Sequence, residues 1–87
     1  MKTLVICRPV AGVGPQEIAP HGAEEFAALH ELKARGVLLE AYSPGGPGAV
    51  LIFDADPAEL DELVASLPLH RKGLIEAETI QLRPFDL

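Results

Sequence analysis

The chain has 87 residues, a formal net charge of −6 and a hydrophobic content of 48%. This length suits one domain, residues 1–87, with a small core, and the hydrophobic content argues against disorder. The negative charge argues against binding to nucleic acid or to an anionic membrane, because both interactions need Lys and Arg to neutralise phosphate.

The numbers and positions of the cysteine and histidine residues limit the possible disulfides and metal sites. The single cysteine, Cys7, excludes an intrachain disulfide and a cysteine-based zinc site, and the three histidines are scattered. We therefore expect no metal site. A reaction without a cofactor is expected as well. No apolar stretch is long enough for a signal peptide or a membrane span, so a cytoplasmic protein is expected.

The first predicted element is a strand over residues 3–7, a β-branched run whose two faces are both apolar, as is typical of an internal strand. Residues 10–20 hold two glycines and two prolines. They are predicted to form a loop, with a turn near residues 16–18.

The first long helix is predicted over residues 21–35. Acidic residues lie in its first turns and basic residues in its last turn, as the helix dipole favours, and Gly36 is placed as its cap. His30 is predicted to be a partly buried packing residue on the Phe26 side. The three- to four-residue spacing of large apolar residues predicts one buried stripe: Phe26, Leu29 and Leu32.

Two further strands are predicted over residues 37–42 and Ala49–Asp54. The link between them, residues 43–48, contains two prolines and three glycines, which excludes a helix and favours a hairpin turn.

A second helix is predicted to begin after Asp56, which suits an N-terminal cap, with Pro57 in its first position and Pro68 at its end. A basic corner, residues 70–72, then leads into a last strand over residues 74–82. The predicted inward stripe of the second helix is Leu60, Leu63, Val64 and Leu67.

The element order βαββαβ predicts a ferredoxin-like α+β fold, a four-stranded antiparallel sheet with two helices on one face. The first and third strands are apolar on both faces, and helices cover only one of them. Such an exposed apolar face indicates an interface, and two sheets facing each other in a homodimer would cover it.

Three segments resemble a known group of proteins: residues 36–38, residues 54–56 and the run Leu-Pro-Leu-His-Arg-Lys-Gly-Leu-Ile-Glu at 67–76. From residue 24 to the C-terminus the chain resembles the dimeric α+β barrel superfamily and, within it, the muconolactone isomerase-like family. The YciI-like family is similar too, through the terminal Arg83-Pro84-Phe85.

The resemblance implies a barrel-forming homodimer, a small-molecule ligand and proton-transfer chemistry. Isomerase-type members carry a glutamate in the first long helix, and Glu25 matches that position. The second strand departs from their pattern, because Leu38, Leu39, Glu40 and Tyr42 stand where those members carry Trp and Arg.

Five residues are candidates for a site. Glu25 could be desolvated beside the apolar stripe and act as a base, or be a solvated first-turn glutamate; His21 could be a general acid or an exposed helix-end residue. Glu40 and Tyr42 share one face of their strand, which lines either a cavity or solvent. Arg8 could bind a carboxylate or simply end its strand.

Two functions stay open on the sequence. The first is a cofactor-free isomerase or lyase acting by proton transfer on a small carbonyl or carboxylate compound. The second is a non-catalytic small-molecule-binding or accessory protein of YciI-like type. A cavity with converging acid–base groups would favour the first, and a cavity filled by core side chains the second.

Overall fold

A computed structural model of the chain describes residues 1–87. The longest helix has 13 residues, and none is long and apolar enough to cross a bilayer. The elements are β1 (Lys2–Pro9), α1 (Pro15–Ile18), a 3₁₀ turn (Ala19–His21), α2 (Gly22–Ala34), β2 (Leu38–Tyr42), β3 (Ala49–Asp54), α3 (Pro57–Ala65), α4 (Pro68–Arg71) and β4 (Ile75–Gln81).

The four strands form one antiparallel sheet in the order β2-β3-β1-β4. The central strand β1 pairs with β3, with Val5 opposite Leu51, and also with β4, with Val5 opposite Thr79. The hairpin partner β2 lies on the outer edge of β3. This topology confirms the predicted ferredoxin-like arrangement.

The core lies between the helices and one face of the sheet. Alternate residues of the central strands are buried there, and Val5, Leu51 and Phe53 are at most 1% exposed. They pack in one cluster with Leu60 of α3 and with Leu67, which lies between α3 and α4. The inward-facing alternate residues of the strands thus pack against the apolar faces of the helices, as expected for an α+β fold with one layer of helices on one sheet.

Helix α3 begins as its sequence indicates. The Asp56 side chain accepts a hydrogen bond from the Glu59 N–H at 2.8 Å, and Pro57 occupies the first helical position. These contacts satisfy one free N–H and preset the backbone angle of the first turn.

The opposite face of the sheet carries no helix. The other residues of β1 and β3 point there, and Leu4, Ile6, Val50 and Ile52 are only half-buried. Ile80 of β4, which pairs with Leu4, is 40% exposed. The prediction that both central strands are apolar on both faces is confirmed.

The inward side of α2 differs from the predicted stripe. Leu32 is buried and Glu25, Ala28 and Leu29 are half-buried, a spacing that defines one helical face. Phe26 is 67% exposed, and His30 is exposed as well. Both were predicted to pack inside, and both predictions were wrong, because the stripe is displaced by one residue and a carboxylate occupies its first turn.

Two short helices were missed. Residues predicted as a loop form α1 and the 3₁₀ turn, with Pro15 at the first position of α1. The second long helix ends at Ala65, before Pro68, and Pro68 begins α4. The cause is local: Leu67 is extended, as favoured for a residue preceding proline, so the chain turns and starts a new helix.

We expect Phe53→Ala to lower the free energy of unfolding by about 3–5 kcal/mol, because the ring is fully buried between sheet and helices. Phe85→Ala is the matched control, since Phe85 is 87% exposed, and it should change stability by less than about 0.5 kcal/mol. Urea denaturation followed by circular dichroism measures both. Equal losses in the two variants would contradict this core.

Candidate functional site

A cavity of about 390 Å³ opens between α2 and the sheet. Its wall on the helix side comes from Glu25, Phe26 and Leu29, and its floor comes from strand residues and from α4. The floor residues are Cys7, Leu51, Leu69 and Ile75. This volume is within the range of small-molecule sites in proteins.

The mouth of the cavity is formed by the β2–β3 connection and by Ile18. Gly48, at the end of this connection, has φ +116° and passes so close to the Cys7 carbonyl that a Cβ would collide with it. A glycine is needed there for both reasons. The connection therefore folds back against β1 and borders the cavity.

Glu25 is the only carboxylate that lines the cavity. Its Oε1 accepts a hydrogen bond from the Leu69 N–H at 3.0 Å, and its second carboxylate oxygen has no partner within the protein. One oxygen therefore joins α2 to α4, and the other remains available to a bound molecule.

Burial raises the pKa of Glu25 above its ordinary value of 4.5. The Leu69 N–H and the Arg71 charge act in the opposite direction, and Glu24 adds a smaller upward shift. The net result is a carboxylate that binds a proton more tightly than a solvated glutamate.

Cys7 is 5% exposed and lies on the cavity floor. Burial, with a smaller contribution from Glu25, raises the pKa of its thiol to about 11. The thiol is therefore protonated at neutral pH, in agreement with the inert buried cysteine expected from the sequence.

His21 lies outside the cavity, at the N-terminal end of α2. Its Nδ1 is 3.3 Å from Glu24 Oε1, and Lys72 Nζ is 3.7 Å from the same oxygen. Both partners of Glu24 lower its pKa, and its carboxylate faces solvent. His21 therefore belongs to a surface ion cluster rather than to the cavity wall.

Glu40 and Tyr42 lie on the helix-free face, because they pair with Ile52 and Val50 across the hairpin. The Tyr42 hydroxyl donates to the Glu40 carboxylate, and this bond raises the pKa of Tyr42. Tyr42 is the last residue of β2, at the start of the connection that borders the cavity, and it is therefore also among the residues that line the cavity. Glu40 does not line it.

Arg8 is also on the helix-free face, at the same side as Ile6. Its guanidinium donates to Glu78 Oε1 on the neighbouring strand at 3.0 Å, and both side chains are more than half exposed. Of the five predicted site residues, the structure thus brings Glu25 and Tyr42 to the cavity and leaves His21, Glu40 and Arg8 outside it.

Sequence reasoning missed the contributions of Leu69 and of the β2–β3 connection. The signals were the Leu-Pro step at 67–68, which begins a helix and presents free N–H groups, and the glycine that ends the link. No three His, Cys, Asp or Glu side chains are grouped so that they could hold a metal ion.

Among known proteins, only solved structures are similar to this chain. No family model matches the chain, and no curated protein matches it significantly. Solved structures do match. TftG, a 5-chloro-2-hydroxyhydroquinone dehydrochlorinase from Burkholderia phenoliruptrix AC1100 solved with 2,5-dihydroxybenzoquinone, is 21% identical, with a TM-score of 0.77, over 95% of this chain and 94% of that chain.

Muconolactone isomerase, solved at 3.3 Å, is also 21% identical, with a TM-score of 0.75, over 99% of this chain and 92% of that chain. The resemblance to the muconolactone isomerase-like fold, inferred from the sequence, is confirmed at the level of the fold. At this identity the similarity shows the fold alone.

We expect an NMR titration of the Glu25 carboxyl carbon to give a pKa above 4.5. Since the folded pKa exceeds the unfolded one, the folded state binds the proton more tightly. Stability then falls as pH rises from the unfolded pKa through the folded one. Glu25→Gln removes this dependence and should be at least as stable as the original chain at about pH 8.

Glu25→Ala is the contrasting variant. It leaves the Leu69 N–H without its acceptor, which we expect to cost about 1 kcal/mol or more at every pH. A carboxyl carbon that titrates at or below the ordinary glutamate value would contradict the buried environment described for Glu25.

Proposed function

We propose that the protein is a cofactor-free isomerase or lyase that acts on a small carbonyl or carboxylate compound, with Glu25 as the group that moves a proton. The observation that carries this proposal is a single half-buried carboxylate, with one free oxygen, in the wall of an otherwise largely apolar cavity. Perturbed carboxylates in concave sites are typical general bases.

The chemistry follows from the position of Glu25. Its free oxygen takes a proton from a carbon next to the carbonyl group. The electron pair left behind either moves along the substrate, so that the proton returns at another carbon, or expels a leaving group. A raised pKa makes the carboxylate a stronger base for the first of these steps.

The two solved neighbours agree with this choice of reaction class. One is named an isomerase and the other a dehydrochlorinase, and an isomerisation and an elimination can share the same initial proton removal. The absence of a cofactor in the proposed reaction stays a prediction from the sequence, as does the cytoplasmic location.

Two observations favour the second candidate, a non-catalytic small-molecule-binding or accessory protein. Glu25 has a structural role, because its bond to Leu69 holds α4 against α2. In addition, the second predicted acid–base residue, His21, does not reach the cavity. A protein of this kind would bind a ligand and return it unchanged.

We also propose that the protein acts as a homodimer, with the helix-free sheet faces packed against each other. The patch that supports this proposal consists of Leu4, Ile6, Val50, Ile52 and Ile80. Removing the exposed part of each of these apolar side chains from water stabilises the assembly, by less than the about 1.5–3 kcal/mol gained when a fully exposed side chain is buried. The Arg8–Glu78 pair lies beside the patch and would lie near the partner.

The proton-transfer proposal is tested by incubating the protein in D₂O with a panel of small lactones, cyclic enones and hydroquinones and following solvent exchange and product formation by proton NMR. For any compound that reacts, we expect Glu25→Gln to lower the rate about 10²–10⁴-fold, because the base is lost while its shape is kept.

Glu24→Gln is the matched control for this experiment. Glu24 is the neighbouring carboxylate on α2, but it lies outside the cavity, and its loss should leave the rate within about twofold. Full activity of the Glu25→Gln variant would contradict the proposal, and binding without exchange or turnover would favour the second candidate.

The homodimer is tested by light scattering. We expect the original chain to have the mass of two chains or more, and Ile52→Asp to have the mass of one chain, because a charge on the patch would have to be buried. Ala58→Asp adds the same charge at an exposed position of α3 and should leave the mass unchanged. A monomeric original chain would contradict the proposal.

A further inference from the structure

We propose that the cavity selects uncharged carbonyl compounds and discriminates against carboxylates. This inference narrows the proposed function, because it concerns the same cavity and names the class of substrate. It depends on which ionisable groups line the cavity and where the cations of the chain lie.

Three ionisable side chains line the cavity, namely Cys7, Glu25 and Tyr42. Each of them is neutral when protonated and negative when ionised. No side chain that could carry a positive charge is among the sixteen lining residues. An anionic ligand would therefore meet either a neutral wall or a like charge.

Three basic side chains are engaged with partners outside the cavity lining. Arg8 pairs with Glu78 on the other face of the sheet, and Lys72 faces Glu24 on the surface. Lys33 donates to the Leu39 carbonyl at the far end of α2.

Arg71 is the basic residue whose charge acts on Glu25. Its charge reaches Glu25 and lowers the pKa of that carboxyl, but its side chain is exposed and does not line the cavity. Its attraction for an anion inside the cavity is screened by solvent, whereas Glu25 stands in the wall itself.

The rest of the wall suits an uncharged ring or chain. Phe26, Leu29, Leu51 and Ile75 offer apolar contact, and the exposed Phe26 ring stands next to Glu25 in sequence. Ser43 can donate to a ligand carbonyl, because its Oγ accepts from the Gly45 N–H and its own hydrogen is left free. A carbonyl oxygen thus has a donor without any need for a cation.

Cys7 allows a direct test, since it is the only cysteine and lies on the cavity floor. Iodoacetamide and iodoacetate have nearly the same size but differ in charge. With either reagent the Cys7 thiolate attacks the methylene carbon, a sulfur–carbon bond forms, iodide leaves, and the thiol proton passes to solvent. Mass spectrometry gives the rate of labelling with each reagent at about pH 9.

Each rate is divided by the rate for a small neutral thiol under the same conditions, which removes the intrinsic difference between the reagents. We expect this normalised rate to be at least about tenfold higher for iodoacetamide than for iodoacetate. In Glu25→Gln the ratio should approach one, because both reagents attack the same thiolate and only the repulsion has been removed.

Arg71→Gln is the matched cation variant, and we expect it to leave the ratio unchanged. A ratio near one in the original chain, or a large loss of iodoacetate labelling in Arg71→Gln, would overturn the inference. If the buried thiol reacts with neither reagent, NMR shift titrations with benzamide and benzoate replace the labelling. Tighter binding of benzamide then supports the inference, and equal or weaker binding overturns it.

These outcomes are separate from those of the proton-transfer test. Charge selectivity without any loss of turnover in Glu25→Gln would support this inference and contradict the proposed function. Turnover that depends on Glu25, together with a preference for anionic ligands, would support the proposed function and contradict this inference.

Discussion

A four-stranded sheet of this size can bury only one of its two faces within a single chain. The helices of the chain lie on one side, and Val5, Leu51 and Phe53 are buried beneath them. The central strands are nevertheless apolar on both sides, so Ile6 and Ile52 remain partly exposed. The core, the cavity and the proposed dimer contact all follow from this unequal covering.

The cavity lies between α2 and the sheet, and Glu25 lines it among mostly apolar residues. A carboxylate therefore stands in a largely apolar wall. The bond from Leu69 offsets part of the cost of burying this group. The same residue therefore contributes to the packing of α4 and to the electrostatics of the cavity.

The comparison with solved enzymes separates fold from function. Chains that share 21% of their residues adopt the same arrangement, because the pattern of apolar positions is what the fold requires. The chemistry depends instead on a few groups, and here the second strand carries Leu39, Glu40 and Tyr42 in place of the Trp and Arg expected from the family resemblance. The cavity and its carboxylate are accordingly the features that bear on function.

The sequence by itself determined the order of the strands and long helices, the cap at Asp56 and the two apolar faces of the central strands, because these depend on local propensity and on alternation along the chain. The family resemblance also indicated Glu25. Only the tertiary structure decided that Glu25 is half-buried while Phe26, which also lines the cavity, is 67% exposed, since a helix packed on a sheet buries one face and a one-residue rotation changes which side chains lie on it. Likewise, the separation of Glu40 and Arg8 from the cavity follows from strand register, which pairs residues far apart in the chain.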